Sequence, residues 1–239
     1  MHDTNPRSPG ATTLLGGRRL QGVVLDMDGT IVDNMPVHAE AFDLYVARHG
    51  LPPLTMADRA RFDGQRNRDI FPVLLGRELR PEELQECIDE KEGVYRRLSH
   101  GRLRPHTGLP EMLDRLAALG VPVAIATAAP PENVPHTLAE IGLAGRLSVV
   151  VRADEVPNGK PAPDVFLEAA RRIGADPRAC LAFEDAPLGI RAARAAGMGC
   201  VAVTTSFSAA AMAEHDAAPD LAVGDYAEFL ALGLLDALR

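Results

Sequence analysis

The sequence predicts an α/β fold: a doubly wound, Rossmann-like parallel sheet with an inserted α-helical cap. Three observations carry this expectation. Short continuous apolar runs, such as Gly22-Val23-Val24-Leu25, describe strands buried on both faces. These runs alternate with helix-length segments punctuated by Gly and Pro, which is the pattern of parallel βαβ units. Between the first and second runs the alternation stops, and residues 35–103 read as a series of helices.

In chain order, residues 1–19 are rich in Pro, Gly, Thr and Arg and lack a sustained apolar stretch, so they read as a disordered tail and not a signal peptide. Gln21 to Asp26 is a strand. Helices are expected over Met35 to Gly50, Leu54 to Phe62, Arg68 to Leu75 and Pro81 to Leu98. Pro110 to Gly120 is a helix closed by a C′ glycine. Val121 to Thr127 is the second strand, Pro131 to Ile141 a helix, and Leu147 to Val151 the third strand. Pro163 to Ile173, Pro187 to Ala196 and Tyr226 to Leu238 are helices. Strands are expected at Leu181 to Glu184, Cys200 to Thr204 and Leu221 to Val223. The domains so defined are a core of residues 20–34 and 104–239 and a cap of residues 35–103, with joints near Asp33–Asn34 and Arg102–Gly108.

Composition narrows the function classes. The 239 residues can bury one core with a small appended one, and 46% hydrophobic with 24% charged content is ordinary for a globular protein. A net charge of −8 argues against a nucleic-acid partner, and the absence of Trp removes a common stacking platform. The three cysteines show no C-x-x-C spacing, so neither a disulfide frame nor a zinc site is implied; Cys180 and Cys200 read as small buried hydrophobes. No run approaches membrane-spanning length. The expectation is a cytoplasmic protein, a monomer or weak homodimer, acting on a small molecule.

In an open parallel sheet, ligands bind beyond the carboxyl ends of the strands, so the strand ends are where chemistry is sought. The first ends in Asp26 and Asp28, two residues apart and therefore on one side of an extended chain. The second ends in Thr127 and the fourth in Glu184-Asp185, while Lys160 lies at the entrance to the helix between the third and fourth. Four acids, one hydroxyl and one ammonium suit phosphoryl transfer. Asp26 is the candidate nucleophile. Asp28 is the candidate general acid–base. Thr127 and Lys160 are candidates to hold phosphoryl oxygens. Mg²⁺, a hard dication, suits the Asp26 carboxylate, the Asp28 carbonyl and the Asp185 carboxylate, with Glu184 binding directly or through water. Taken singly each residue has an ordinary reading: a strand-end hydroxyl bonding to backbone, a solvated lysine, an acidic helix entry, an Asp-Gly turn. Their joint order at successive strand ends is what departs from the ordinary.

That order resembles the haloacid dehalogenase-like hydrolase superfamily, whose four motifs are matched by Asp26-x-Asp28-Gly29-Thr30, Thr127, Lys160 and Glu184-Asp185. Gly159-Lys160-Pro161-Ala162-Pro163-Asp164 and Phe183-Glu184-Asp185-Ala186-Pro187-Leu188-Gly189-Ile190 are similar to the β-phosphoglucomutase and phosphoglycolate-phosphatase-like subfamily with a helical cap. The resemblance implies hydrolysis through an aspartyl-phosphate, and the acid at Asp28 separates phosphatases and mutases from the dehalogenases. It also places cap residues near a substrate. His38 falls where the mutase has a histidine that couples cap closure to acid–base chemistry, and Lys91 where it has a lysine near the sugar. The Gly64-Gln65-Arg66-Asn67-Arg68-Asp69 loop resembles the mutase's substrate-specificity loop. Two departures follow. Asn67 stands where the mutase has a phosphate-binding arginine, with Arg66 or Arg68 left to replace it, and Ala128-Ala129-Pro130-Pro131 stands where it has polar side chains. A mutase needs a second phosphate clamp, so the expectation is a Mg²⁺-dependent phosphatase of a small sugar phosphate or similar monoester. The alternatives are β-phosphoglucomutase-type phosphoryl shuttling and a non-catalytic phosphate-binding module.

Overall fold

The computed structural model describes residues 14–238. Its centre is a six-stranded parallel sheet of β1 (Gly22–Leu25), β2 (Val123–Thr127), β3 (Val150–Arg152), β4 (Cys180–Glu184), β5 (Gly199–Val203) and β6 (Leu221–Val223), in the order β3-β2-β1-β4-β5-β6. β1 pairs with β2 through Val24↔Ala124 and with β4 through Val24↔Ala182. The chain therefore reverses its direction of growth at β1, which opens a crevice at the carboxyl ends of β1 and β4.

Strand side chains alternate between two cores. Val23, Leu25, Ile125, Leu181, Phe183 and Val201 join one apolar cluster, whereas Val24, Ala124, Ala126, Ala182, Cys200 and Ala202 join another. Both faces are dry, as the unbroken apolar runs require. The first face is covered by α5 (Leu109–Ala118), α6 (Asn133–Glu140), α10 (Tyr226–Ala231) and α11 (Leu234–Ala237). The second is covered by α7 (Asp164–Arg172), α8 (Pro187–Ala195) and Met212 of α9 (Ala209–Glu214). The second face is lined by alanines and Cys200, which let its helices approach closely.

Between β1 and β2 the chain makes α1 (Met35–Arg48), α2 (Met56–Phe62), α3 (Asn67–Leu75) and α4 (Pro81–Ser99). Phe42, Tyr45, Val46, Phe62, Ile70 and Phe71 form an apolar cluster of their own there. The way out and the way back meet at Val32, which bridges Pro105, while the backbone N–H of His106 donates to the Ile31 carbonyl at 3.1 Å.

Several expectations are corrected. The tail assignment fails for Leu14 and Leu15, which are buried in the first core; the remaining tail assignment to residues 1–13 lies outside the described residues. Their burial is local: the Leu14 carbonyl would lie 2.3 Å from a Cβ at Gly199, so the segment fits only against a glycine. β3 begins at Val150, not Leu147, although Leu147 remains buried as a loop residue. The short α9, capped by the Ser208 hydroxyl accepting from the Ala211 N–H, is absent from the sequence reading. The expected C-terminal helix is two, broken at Gly233, whose φ of 66° is left-handed. No helix among the described residues is long and apolar enough to cross a membrane.

Candidate active site

The site lies at the carboxyl ends of β1 and β4. Asp26 follows β1 and is buried, and its Oδ1 accepts from the Lys160 ammonium. The same ammonium donates to Glu184 Oε1 at 2.7 Å and lies 5.2 Å from the centre of the Phe166 ring. Lys160 thus ties the loop before α7 to the ends of β1 and β4. Glu184 Oε2 accepts from the backbone N–H groups of Asp185 and Ala186, both at 2.8 Å. Its carboxylate is held on every side, and a Cβ on Gly189 of α8 would sit 1.5 Å from Oε1.

Asp185 is fixed by hydroxyls. Thr30 donates to its Oδ1 at 3.1 Å and Ser206, after β5, donates to its Oδ2. Gly29 is required beside it, because φ is 80° and a Cβ would fall 2.0 Å from Asp185 Oδ2. Asp26, Glu184 and Asp185 each offer a carboxylate oxygen, all within 4.8 Å of one another. Burial, reinforced by the neighbouring carboxylates, pushes Asp26 up to about 7 although Lys160 pulls the other way. Burial also raises Asp185, with Glu184 and Asp26 adding to it. Lys160 goes up too: burial would lower it, but Asp26 and Glu184 outweigh that. Asp26 and Glu184 thus share one ammonium, and Asp185 beside them has none. The donor set is oxygen-rich and over-charged, which suits a hard dication.

Asp28 stands apart from that cluster. Its Oδ1 accepts from the Asn34 amide at 2.6 Å, and the same Asn34 nitrogen donates to the Tyr95 hydroxyl at 2.7 Å. Asn34 Oδ1 accepts the Gly29 N–H, so one side chain spans the Asp28-Gly29 turn and α4. His38 stacks on Tyr95, with ring centres 3.8 Å apart. Its Nε2 is 3.7 Å from Asp28 Oδ1, too far for a hydrogen bond, and is buried without a partner. Its Nδ1 is 2.9 Å from Lys91 Nζ. Lys91 donates to Glu92 Oε1 at 2.8 Å and lies over the Phe42 ring at 4.3 Å. Burial would raise Glu92, but Lys91 first, then His38 and the Asn133 amide, hold it down to about 2. An unbroken polar chain therefore runs from Asp28 through Asn34 to Tyr95, beside the stack that carries His38, Lys91 and Glu92.

Part of this set lines a cavity of about 260 Å³ between the sheet edge and α1–α4. Asp26, Asp28, Glu184 and Asp185 line its floor, and His38, Gly64, Asn67 and Lys91 line its opposite side. Asn67 donates to Glu92 Oε1 at 2.8 Å. Thr127 is buried at the end of β2, the strand paired with β1, and its Oγ1 accepts from the Ala129 N–H, while Ala128 and Ala129 line the cavity. Two of the expected arginines do not line it. Arg66 grips Asp69 through Nε at 2.7 Å, outside the cavity lining. Arg68 is exposed.

Several site residues escaped the sequence reading. Ser206 could have been found by extending the strand-end rule to β5. Glu92 carried a signal in its position beside Lys91. Asn34 and Tyr95 carried none, because their importance comes from contacts between α1, α4 and the β1 turn.

Residues 20–197 match the haloacid dehalogenase-like hydrolase family, and the chain belongs to that family of hydrolases. The fructose-1-phosphate phosphatase YqaB of Escherichia coli is 35% identical over 189 residues, 77% of this chain and 97% of that one. Protein CbbY of Cupriavidus necator is 32% identical over 204 residues, 80% of each chain. In fold, the chain is similar to the crystal structure of β-phosphoglucomutase from Clostridium difficile. The TM-score is 0.78 at 19% identity, covering 92% of this chain and 99% of that one.

Proposed function

We propose that this protein is a Mg²⁺-dependent phosphatase that hydrolyses a small phosphate monoester, a sugar phosphate by preference, through a phosphoryl group carried on Asp26. The observation that supports it is the buried Asp26–Lys160–Glu184 arrangement beside Asp185, at the floor of a cavity large enough for a small metabolite. Named phosphatases among the relatives support the same reading.

Asp26 Oδ attacks phosphorus, the bond to the leaving oxygen breaks, and Asp28 gives that oxygen a proton. Asp28 then takes a proton from water as the water attacks the phosphoryl group, which regenerates Asp26 and releases inorganic phosphate. Lys160 neutralises phosphoryl oxygens while Glu184 holds its ammonium in place. Asp26 and Asp185, with the Asp28 carbonyl, would hold Mg²⁺, which supplies charge neutralisation to the transferring phosphoryl group. The helices of residues 35–103 act as a cap that keeps bulk water from the phosphoryl enzyme. Asn34 holds Asp28 where it serves the leaving group. The substrate is a free metabolite, and the protein works in the cytoplasm.

The test is phosphate release across a panel of small phosphorylated metabolites and a generic aryl phosphate. Turnover should vanish on chelation, return with Mg²⁺, and fall about a thousandfold or more in Asp26→Asn. Undiminished aryl-phosphate turnover by Asp26→Asn would remove the nucleophile assignment. The mutase alternative is separated by supplying β-glucose 1-phosphate with a bisphosphate primer: the phosphatase yields inorganic phosphate, the mutase glucose 6-phosphate.

A further inference from the structure

Resting on the phosphatase reading, a second assignment concerns the part of the cavity lining that residues 35–103 supply, which the leaving alcohol would meet. Arg59 and Asp63, from α2 and its C-terminal turn, belong to that lining together with Gln65, Asn67 and Glu92. Its charges are unevenly matched. Lys91 is committed to Glu92 at 2.8 Å. The Arg59 guanidinium donates to Asp43 Oδ1 at 2.5 Å and to the Ala39 carbonyl at 3.4 Å. Arg66 has one buried nitrogen, Nη1, without a partner, yet it packs against Gly159 outside the cavity lining. Among the described residues, the Asp63 carboxylate has neither a hydrogen bond nor an ion pair within 4 Å, and burial pushes it up to about 6 against the pull of Arg59. Among the described residues, this part of the lining therefore carries an unbalanced carboxylate and no uncommitted cation.

We infer that Asp63 is a specificity-determining residue: it accepts hydrogen bonds from uncharged hydroxyls of the leaving alcohol and rejects alcohols that bear a second anionic group. An ionised carboxylate only accepts, so hydroxyl donors complete its hydrogen bonding. A second phosphate at the same place would face like charge, with Lys91 and Arg59 already engaged. The same feature opposes a bisphosphate intermediate, which a phosphomutase must hold in two orientations.

Fructose 1-phosphate and fructose 1,6-bisphosphate share an alcohol and differ by the second phosphate, which makes them the probes. The ratio of their kcat/KM values is measured for the wild type, Asp63→Asn and Asp63→Lys, with an aryl phosphate as a third substrate. A ratio taken within each protein cancels any loss of folded enzyme. The wild type should favour the monophosphate by roughly 100-fold, and the ratio should fall about tenfold in Asp63→Asn and further in Asp63→Lys, chiefly through KM. An equal preference in the wild type, or a ratio unmoved across the three proteins, overturns the assignment and leaves the phosphatase reading standing. So does aryl-phosphate turnover with neither sugar processed or competing. A wild type that releases phosphate from none of the three overturns the phosphatase reading instead.

Discussion

Glu92 shows how a buried charge in this protein is kept. Its carboxylate accepts from Lys91, Asn67 and Asn133, so it joins α4 to the start of α3 and to α6. Removing one partner of such a pair leaves a buried charge uncompensated, which is worse than never having had the pair. The folded carboxyl is held down to about 2 from an ordinary 4.5. Because the folded value is the lower one, the stabilisation is complete above about pH 4.5 and is lost as the pH falls toward 2. Glu92→Gln should therefore lower unfolding stability by about 3 kcal/mol at pH 7. Urea unfolding at pH 7 and pH 3 checks this, since the gap between the two proteins should narrow at the lower pH.

At the scale of elements, helix and strand ends do the positioning. Glu184 leaves β4 and is clasped by the first N–H groups of the turn into α8, whose Gly189 leaves room for its carboxylate. Gly189→Ala places a methyl carbon where Glu184 Oε1 now sits, so either α8 or the carboxylate must move and Lys160 loses an anchor. Phosphate release should fall by about tenfold or more, with a lower melting temperature. Gly93, inside α4, is the contrast. A Cβ there meets only Arg97 Nη1, at 3.5 Å, and Gly93→Ala should gain up to about 1 kcal/mol. Thermal unfolding and phosphate release measured on both variants separate a site effect from a helix effect. If Gly189→Ala melts lower yet keeps full turnover, the clasp on Glu184 is not what positions Lys160.

At the scale of the whole molecule, the first core takes in the chain's N-terminal side. Leu14 and Leu15 are buried in the first core, with Leu14 against Gly199 of β5. Burying a leucine is worth about 1.5–3 kcal/mol, so a protein beginning at Leu20 should lose several kcal/mol of stability while keeping every residue of the candidate site. Chemical denaturation of the shortened and full chains measures this, and equal midpoints would mean that the contact contributes nothing.

Much of this architecture was legible in the linear chain. The unbroken apolar runs of β1, β2, β4 and β5 could bury only if both faces of the sheet were covered, and polar residues at their carboxyl ends had to converge at the switch point. Asp26, Lys160, Glu184 and Asp185 were placed by that logic. That logic does not reach side-chain partners: Thr127 accepts from the Ala129 N–H, Arg66 pairs with Asp69, and Arg68 is exposed. Local pattern determined the sheet, its strand ends and the chemistry gathered there, because periodicity and burial act within a few residues. Only the tertiary structure decided that Asn34 bridges Asp28 and Tyr95, that Leu14 and Leu15 complete a core, and that Asp63 stands uncompensated in the cavity. Those outcomes depend on contacts between elements distant in the chain, whose geometry no short-range pattern encodes.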